Sequence, residues 1–295
     1  MSLYEPQCTP SCLVAVIRYL VRCTEQSSES RKTLEAMLMP PSLRRREGEP
    51  DTDPERLDLK TTLEEFEKLG ILSLSSESIA LSPKALRQFP DRERIEADLP
   101  IIVSDHAFCR PDGQPDRLMK AMAWYLSLPV TKVPGTWDEF DARRYPEAKQ
   151  TGLSNSVPYA QLRHWGRYLG LIWVCSSRGQ AFAVPDPTAQ IRWRLPSLRG
   201  ALGTEWLSIR SFMAALVKLV PVLDGGSIRS RVTADDMWRA QSLLSTSTSL
   251  ALRRLEDEHR IELTVNADAD LVLLDEETKK VKVSHIRLLS DAGVE

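Results

Sequence analysis

The chain has 295 residues, 42% of them apolar and 27% charged, a composition typical of a globular protein of two or three modules. Its formal net charge of −2 excludes a strongly basic protein that binds nucleic acid over its whole surface. Its apolar runs fall far short of the roughly 18 residues of a membrane-spanning helix, and its N-terminus lacks a basic leader and an apolar core, so we expect a cytoplasmic protein without a membrane partner.

The N-terminal region predicts two helices, a loop and the start of a third helix. The first helix begins at Thr9, which can cap it, and Pro10 suits its first turn. The second runs from Thr33 to Met39 and ends at a pair of prolines. Residues 43–54 are charged and predict a loop, after which a third helix begins near Leu59.

A helix, a short break and two strands then occur three times, and we call each occurrence a helix–hairpin copy. The first helix ends at Gly70 and the second at Gly170, whereas His259 stands at this position in the third. The copies run from Leu63 to Leu81 with a turn at 75–78, from Leu162 to Val184 with a turn at 176–179, and from Leu252 to Leu273 with a turn at 266–268. Helical patterns precede each copy, which is the order of a winged helix-turn-helix.

The remaining elements complete three modules. A helix over 83–88 and a linker over 91–100 follow the first copy. Helices are predicted over 118–126, 137–145 and 204–220, a helix start at 233–236, and a strand over 281–288. The sequence therefore predicts a mostly α protein with short β-hairpins, of class α+β, built of tandem winged helix-turn-helix domains at residues 1–95, 96–203 and 204–295.

Positive charge is concentrated in the middle of the chain. Residues 101–205 contain 13 Lys and Arg against 9 Asp and Glu, whereas the flanking regions are net acidic. In a helix-turn-helix the third helix lies in the major groove, and basic and polar side chains hold the phosphates. The second copy offers such side chains, and the predicted DNA-binding residues are Asn155, Ser156, Tyr159, Gln161, Arg163, Arg167 and Arg178.

Within this set the side chains have different predicted roles. We expect Tyr159 and Gln161 to reach bases, because their groups suit base edges. The three arginines are expected to hold phosphates, with Arg178 at the tip of the hairpin. The alternative is a solvated polar helix face that binds nothing.

The first and third copies carry acidic surfaces. The helix of the first copy has Glu64, Glu65 and Glu67, which duplex DNA would repel because it carries about one charge per 1.7 Å. The hairpin tip of the third copy is acidic between Asn266 and Asp270. We therefore expect these two modules to contact proteins.

The sequence carries no motif for catalysis or for a cofactor. It has no P-loop, no glycine-rich dinucleotide motif and no Gly-x-Ser-x-Gly turn. Cys8 with Cys12, and His106 with Cys109, are the closest pairs of metal-ligating residues, but structural zinc takes four ligands, and free cysteine is more often a small buried apolar residue. We expect no enzyme activity, no metal and no cofactor.

The second copy also carries a resemblance to a known family. The segment NSVPYAQLRHWGRYLGL over 155–171, the VPDPT of 184–188 and the tandem layout resemble the DpdG family. Such proteins are found with the machinery that places deazapurines in DNA and restricts unmodified DNA. The resemblance implies a non-catalytic component of a phage-defence or DNA-modification complex, and it supplies no catalytic residues.

These observations lead to one hypothesis and two alternatives. We expect a tandem winged-helix protein that binds DNA weakly through residues 96–203 and binds protein subunits of a defence or DNA-processing complex through the other two modules. The first alternative is a winged-helix transcriptional regulator, which would dimerise on a palindromic site. The second is a scaffold subunit of a condensin-like or helicase-containing complex that does not bind DNA itself.

Overall fold

In the computed structural model the chain divides into two compact units, residues 1–116 and residues 117–295. Both combine helices with small antiparallel sheets, so the predicted α+β class is confirmed. Among the described residues, no helix is long and apolar enough to cross a membrane. The structure describes residues 3–24, 27–39, 59–89, 95–143, 145–177, 180–232, 238, 241–266 and 268–290.

The first unit consists of helices around one three-stranded sheet. β1 and β2 pair antiparallel with either side of β3, and Leu74 lies opposite Ile79, so the predicted first hairpin is confirmed. The strand β1 precedes α2, and no strand is predicted there from the sequence. The elements are α1 (Pro10–Arg22), β1 (Ser28–Ser30), α2 (Arg31–Leu38), α3 (Leu59–Lys68), β2 (Leu72–Leu74), β3 (Ser78–Leu81), α4 (Pro83–Gln88) and α5 (Ile95–Phe108).

Side-chain caps fix where these helices begin. The Thr9 hydroxyl accepts the N–H of Cys12 at 3.2 Å, and the Ser30 hydroxyl accepts the N–H of Thr33 at 3.1 Å. From these starts the helical period turns one apolar side of each helix inward. Leu13 of α1 and Phe66 of α3 are fully buried in the core that results.

The second unit holds the other two helix–hairpin copies. β4 (Ile172–Ser177) and β5 (Gln180–Pro185) form the predicted second hairpin, which is confirmed. The strand β10 (His285–Leu288) pairs with both β6 (Leu207–Ser208) and β7 (Ile261–Thr264). The helices are α6 (Arg117–Tyr125), α7 (Trp137–Arg143), α8 (Pro146–Gln150), α9 (Ser156–Tyr168), α10 (Thr188–Leu202), α11 (Ile209–Leu219) and α12 (Thr246–Asp257). The strands are β4 (Ile172–Ser177), β5 (Gln180–Pro185), β6 (Leu207–Ser208), β7 (Ile261–Thr264), β8 (Val272–Asp275), β9 (Lys280–Val283) and β10 (His285–Leu288).

The predicted pairing of the third hairpin is wrong. β7 does not return as residues 271–273 but pairs with β10, where Leu263 lies opposite Ile286. Residues 272–275 form a separate hairpin with β9, so the strand predicted over 281–288 is two strands. Residues 271–273 are all apolar and those of β10 alternate polar and apolar, but both patterns suit a strand, so periodicity alone does not choose between them.

All three helix–hairpin copies end their helix with the same backbone geometry. Gly70, Gly170 and His259 have left-handed φ angles of 77°, 67° and 55°. In each copy this residue donates its N–H to the carbonyl three residues earlier, and the next residue donates to the carbonyl five residues earlier. These two bonds define a Schellman motif, which satisfies the last carbonyls of a helix and turns the chain into the hairpin.

Two regions of the chain share a longer order of elements. The order α1, β1, α2, α3, β2, β3 in the first unit corresponds to α10, β6, α11, α12, β7, β10 in the second. In both, the last strand lies between the strand that precedes the second helix and the first strand of the hairpin. In both, a serine caps the second helix, Ser30 in one and Ser208 in the other. The predicted boundary at residue 204 falls between the first two elements of the second region.

Some predicted elements differ from those observed. No helix was predicted over α10, whose apolar period is interrupted by Pro196, and the linker predicted over 91–100 includes the start of α5. The helix predicted over 204–220 is β6 followed by α11. Arg178, the loop predicted over 43–54 and the helix start predicted at 233–236 lie outside the described residues.

Candidate nucleic-acid interface

One face of α9 carries much of the predicted DNA surface. The helix begins at Asn155, whose Oδ1 accepts the N–H of Val157 at 3.0 Å. Ser156 and Arg167 are exposed, and Arg163 is half-buried. Their spacing places these three residues on one side of the helix. Because α9 contains no acidic residue, this side is cationic.

The two residues predicted to reach bases are buried, although Tyr159 lies within one turn of Ser156 and Arg163 and only Gln161 lies on the opposite side of α9. Tyr159 is 2% exposed and Gln161 is 4% exposed, beside the buried Leu162 and Trp165. A helix has 3.6 residues per turn, so positions 159 and 161 cannot both share a narrow face with 156, 163 and 167. We therefore correct the prediction for Tyr159 and Gln161, since neither side chain offers a base an exposed surface.

Tyr159 belongs to an aromatic cluster inside the second unit. Its hydroxyl donates to the carbonyl of Pro134 at 2.6 Å, and its ring centroid lies 5.2 Å from that of Phe140 and 6.0 Å from that of Trp137. Burial raises the pKa of Tyr159 to about 12. The side chain is therefore a neutral hydrogen-bond donor that fixes α9 against the loop before α7.

One position distinguishes α9 from the equivalent helices α3 and α12. It lies three residues before the residue with the left-handed φ angle. Glu67 occupies it at the end of α3, Arg167 at the end of α9 and Glu256 at the end of α12. Glu67 Oε1 accepts the N–H of Leu74 at 3.0 Å. Glu256 Oε1 accepts the N–H of Leu263 at 3.2 Å. In both acidic copies the carboxylate joins the end of the helix to the first strand of the hairpin.

Arg167 cannot make this bond, because a guanidinium only donates hydrogen bonds. The corresponding amide in the second copy is that of Val174, seven residues after Arg167. The second copy has thus exchanged a carboxylate with a structural role for an exposed cation. This exchange favours a binding role for Arg167.

Carboxylates are almost absent from the chain around α9. Between Glu147 and Glu205 the only acidic residue is Asp186, whereas the same stretch contains seven Lys and Arg residues. Asp186 is buried and forms an ion pair with Arg254 of α12. The N–H of Thr188 also donates to its carboxylate, at 3.0 Å. The single negative charge of this stretch is therefore neutralised inside the unit.

The basic residues of the stretch differ in their exposure. Arg192 binds Glu258, the residue that follows α12, with Nε 2.8 Å from the carboxylate, and Arg194 is buried. Lys149 and Arg167 are exposed. The cations that face solvent among the described residues are therefore fewer than the sequence suggests, and Arg167 is the one on α9.

Exposed aromatic residues lie on the outer side of the β4–β5 hairpin. Trp173 lies opposite Val184, and Cys175 lies opposite Phe182. Alternation along the strands places these four side chains on one side, which we call the aromatic face. Trp173 is 49% exposed and Phe182 is 36% exposed, whereas Ala183 on the other side is buried.

Arg254 holds Trp173 from one side. Its guanidinium carbon lies 5.3 Å from the centroid of the indole ring, a cation–π arrangement, while the same guanidinium pairs with Asp186. The sequence alone predicted the strand but not this contact, because Arg254 lies in the third copy. Side chains alternate between the two sides of a strand, which places Trp173 on the opposite side from Ile172. The sequence does not show which of these two sides is covered by the rest of the unit.

The acidic residues of the first copy have local structural roles. Glu65 is buried and pairs with Lys68 at 2.6 Å, and Glu67 caps Leu74. Glu64 is half-buried. Two of the three carboxylates predicted to face a partner therefore have bonds within the first copy, Glu65 inside α3 and Glu67 from α3 to the hairpin.

The start of α12 is buried inside the second unit. Ser247 and Thr248 are fully buried; the first donates to the carbonyl of Leu126 at 2.6 Å and the second to Asp224 Oδ2 at 2.6 Å. Asp224 also pairs with Arg229 at 3.2 Å. The third copy therefore does not present the start of its helix to an outside ligand.

The residues considered as metal ligands lie in the first unit. Cys8 is buried, and burial raises the pKa of its thiol to about 12. His106 is buried, with Nδ1 2.9 Å from the carbonyl of Leu69 and Nε2 2.9 Å from Gln88 Oε1. Within the described ranges, no group of three or more His, Cys, Asp or Glu residues could hold a metal ion.

Comparison with known proteins gives one match. A family model described as DpdG-like matches residues 1–269, which is most of the chain. No curated protein matches the chain, and no solved structure matches it.

Proposed function

Because the chain belongs to the DpdG-like family, we propose that it is a non-catalytic DNA-binding and adaptor subunit of a deazapurine modification system. Membership in this family suggests involvement in such a system. In the proposal α9 contacts DNA, and the other two helix–hairpin copies contact partner subunits of a defence complex in the cytoplasm. No catalytic residue is assigned, because the candidate surface consists of cations and aromatic rings rather than of groups that transfer protons.

The order of elements supports a tandem winged-helix architecture. The order helix, strand, helix, helix and two antiparallel strands, with the last strand central in the sheet, is that of a winged helix-turn-helix. It occurs twice, the second time with the β8–β9 hairpin between the two strands. The second copy adds a helix and hairpin of the same kind, with the same Schellman ending. We infer three winged helices, of which the second and third share one compact unit.

The proposed DNA contact rests on the presence of an exposed arginine at position 167. Its two counterparts, Glu67 and Glu256, are carboxylates that cap the following strand, and the second copy gives up that bond for an exposed cation. The protein gains no fold stability from this exchange, since the arginine cannot cap the strand. A phosphate contact explains it, because phosphates are held mainly by Arg and Lys.

The substitution Arg167→Glu tests this contact without a large risk to the fold. The glutamate restores the residue type found in the other two copies, where it bonds the strand. We expect DNA affinity to fall by about ten-fold or more, because a phosphate contact becomes a repulsion. Fluorescence anisotropy with labelled DNA at low salt measures the affinity, and the thermal unfolding midpoint should not fall.

Lys279→Glu is the matched control. Lys279 is 69% exposed on the β8–β9 turn, where it pairs with Glu276, so its charge reversal also faces solvent but lies outside the proposed surface. The DNA half of the proposal is abandoned if the wild-type protein shows no binding at low salt, or if the two variants lose affinity equally.

The adaptor role is tested with the same variant. Purification of the tagged protein from its host, followed by mass spectrometry, identifies stably bound subunits. We expect Arg167→Glu to retain them, because the proposed protein contacts lie in the first and third copies. Loss of the same subunits together with DNA affinity would mean that DNA and partners share one surface, contrary to the proposal.

A further inference from the structure

We propose that the aromatic face binds unpaired bases, so that the DNA recognised by this protein is single-stranded or locally opened. The inference rests on the proposed DNA-binding function and specifies its substrate. It also assigns a role to Trp173 and Phe182, which lie outside the predicted DNA-binding residues.

The first argument is that α9 is poorly equipped to read a duplex. Reading base edges in the major groove needs amide or charged side chains near the start of the helix. Gln161 is buried, and Asn155 uses Oδ1 to cap Val157. The exposed residues that remain in the first turn and a half are Ser156, Val157 and Ala160, of which only the serine can form a hydrogen bond with a base.

The second argument is that the neighbouring hairpin exposes what single strands require. Bases stack on aromatic side chains whatever their sequence, because every base has a π-face. Trp173 and Phe182 are diagonal neighbours on the aromatic face, since Trp173 pairs with Val184 and Phe182 lies two residues before it. Such diagonal positions lie about 7–8 Å apart, so both rings belong to one continuous surface.

The third argument is that Trp173 is held in place before any ligand binds. Arg254 lies over one side of the indole and is itself fixed by the buried carboxylate of Asp186. Asp186 in turn accepts the N–H of Thr188 at 3.0 Å. A rigid ring loses little conformational entropy on stacking, which favours a binding role over an incidental exposure.

The fourth argument is charge. Neither α9, β4, β5 nor α10 contains an acidic residue, and Asp186 between them is buried and paired. Arg167 precedes Trp173 by six residues, so their Cα atoms are at most about 22 Å apart. A single strand of several nucleotides is therefore long enough to reach from one residue to the other. An acidic protein segment would use the cation but gains less from two exposed rings.

The test compares single-stranded and duplex DNA. A labelled thymine homopolymer and its duplex with adenine are titrated with the full chain at low salt. We expect tighter binding of the single strand. We expect Trp173→Ala to weaken it by about ten-fold, since stacking of a base on an aromatic residue is typically lost to this extent. Trp173→Phe should recover most of the affinity, because it keeps a ring.

Trp206→Ala is the matched control. Trp206 is 42% exposed and also carries an arginine over its ring, with the Arg287 guanidinium carbon 5.0 Å from the centroid. It resembles Trp173 in exposure and contact but lies beside β6. Its removal should leave single-strand affinity within about two-fold, while both alanine variants keep the circular dichroism of the wild type.

The outcomes separate this inference from the function on which it rests. Tighter binding of the duplex, or equal losses for Trp173→Ala and Trp206→Ala, overturns the inference, while sensitivity to Arg167→Glu would still support DNA binding. Loss of a copurifying protein by Trp173→Ala at unchanged DNA affinity also overturns it. No binding of either DNA form removes the proposed function itself.

Discussion

His259 carries a side chain at a backbone position that glycine occupies in the other two copies. Its φ of 55° lies in the left-handed region, which costs a residue with a Cβ about 1–2 kcal/mol. The ring is exposed. We expect His259→Gly to raise the free energy of unfolding by about 1 kcal/mol, measured by urea denaturation with tryptophan fluorescence.

Gly170→Ala is the opposite change at the equivalent position. A Cβ there would lie 2.8 Å from the backbone nitrogen of Gln190, which cannot move without α10. We expect a loss of more than about 1 kcal/mol. All seven tryptophans lie in residues 117–295, so the same fluorescence signal reports both variants. Equal stability of the two variants would contradict the argument from backbone strain.

We expect His106 to make the stability of the first unit sensitive to pH. Burial lowers its pKa below the ordinary value of 6.5, and Lys84 lowers it further, while the bond to Leu69 and the charge of Asp105 raise it. The unfolded chain therefore takes up the proton first as pH falls. Stability should be full above pH 6.5, decline below it, and level off under the folded pKa.

His106→Gln should remove part of this pH dependence, because glutamine carries no titrating proton. Urea unfolding followed by circular dichroism at several pH values measures it. His164→Gln, at an exposed position of α9, is the control and should leave the dependence unchanged. An identical pH dependence in wild type and His106→Gln would exclude the role of this imidazole.

At the scale of residues, the exposure of side chains was harder to predict than the positions of the helix ends. The positions of the Schellman glycines were visible in the sequence, because each ends an apolar helical pattern. Tyr159 and Gln161 were not predictable as buried, since polar side chains are usually exposed and only the contact with Pro134 and the neighbouring elements covers Tyr159. Trp173 was missed because its exposure depends on what covers the hairpin.

At the scale of elements, Asp224 connects α12 to the rest of the second unit. Its carboxylate accepts hydrogen bonds from the Ser245 hydroxyl at 2.7 Å and the Thr248 hydroxyl at 2.6 Å, and it pairs with the buried Arg229. Removing one partner of a buried ion pair leaves the other charge uncompensated. We expect Asp224→Ala to cost about 3 kcal/mol, measured by urea unfolding with tryptophan fluorescence.

Asp270→Ala is the control for this prediction. Asp270 is 88% exposed and lies 3.9 Å from Arg210 in a surface ion pair. Exposed pairs contribute little to stability. A cost for Asp224→Ala no greater than that of Asp270→Ala would mean that the network around α12 does not hold the unit together.

Local patterns predicted most of the helices and the first two hairpins but not the long-range pairing. The hairpins of the first and second copies close over short turns, so their strands are neighbours in sequence. β7 finds its partner beyond an intervening hairpin, and β6 is only two residues long. α10 was missed because prolines before it and at position 196 obscure its apolar period.

At the scale of the whole molecule, the uneven distribution of charge predicts how binding depends on salt. Only the stretch around α9 is strongly basic, so few phosphates can be contacted. Each contact with a single strand contributes about 0.7 to the slope of log affinity against log salt. We expect Arg167→Glu to reduce this slope by at least about 0.7, and Lys279→Glu to leave it unchanged. A slope unaffected by Arg167→Glu would mean that the residue touches no phosphate.

The contact between Arg254 and Trp173 has a consequence for genetics. A screen for alleles that abolish DNA binding should recover substitutions at Arg254 and Asp186 as readily as at Trp173, because these two residues hold the indole ring in place. Neither of them belongs to α9. Placed on the linear sequence, such alleles would seem to define separate functions in the second and third copies. They should instead fall into one phenotypic class, and combining Arg254→Ala with Trp173→Ala should add little to either alone.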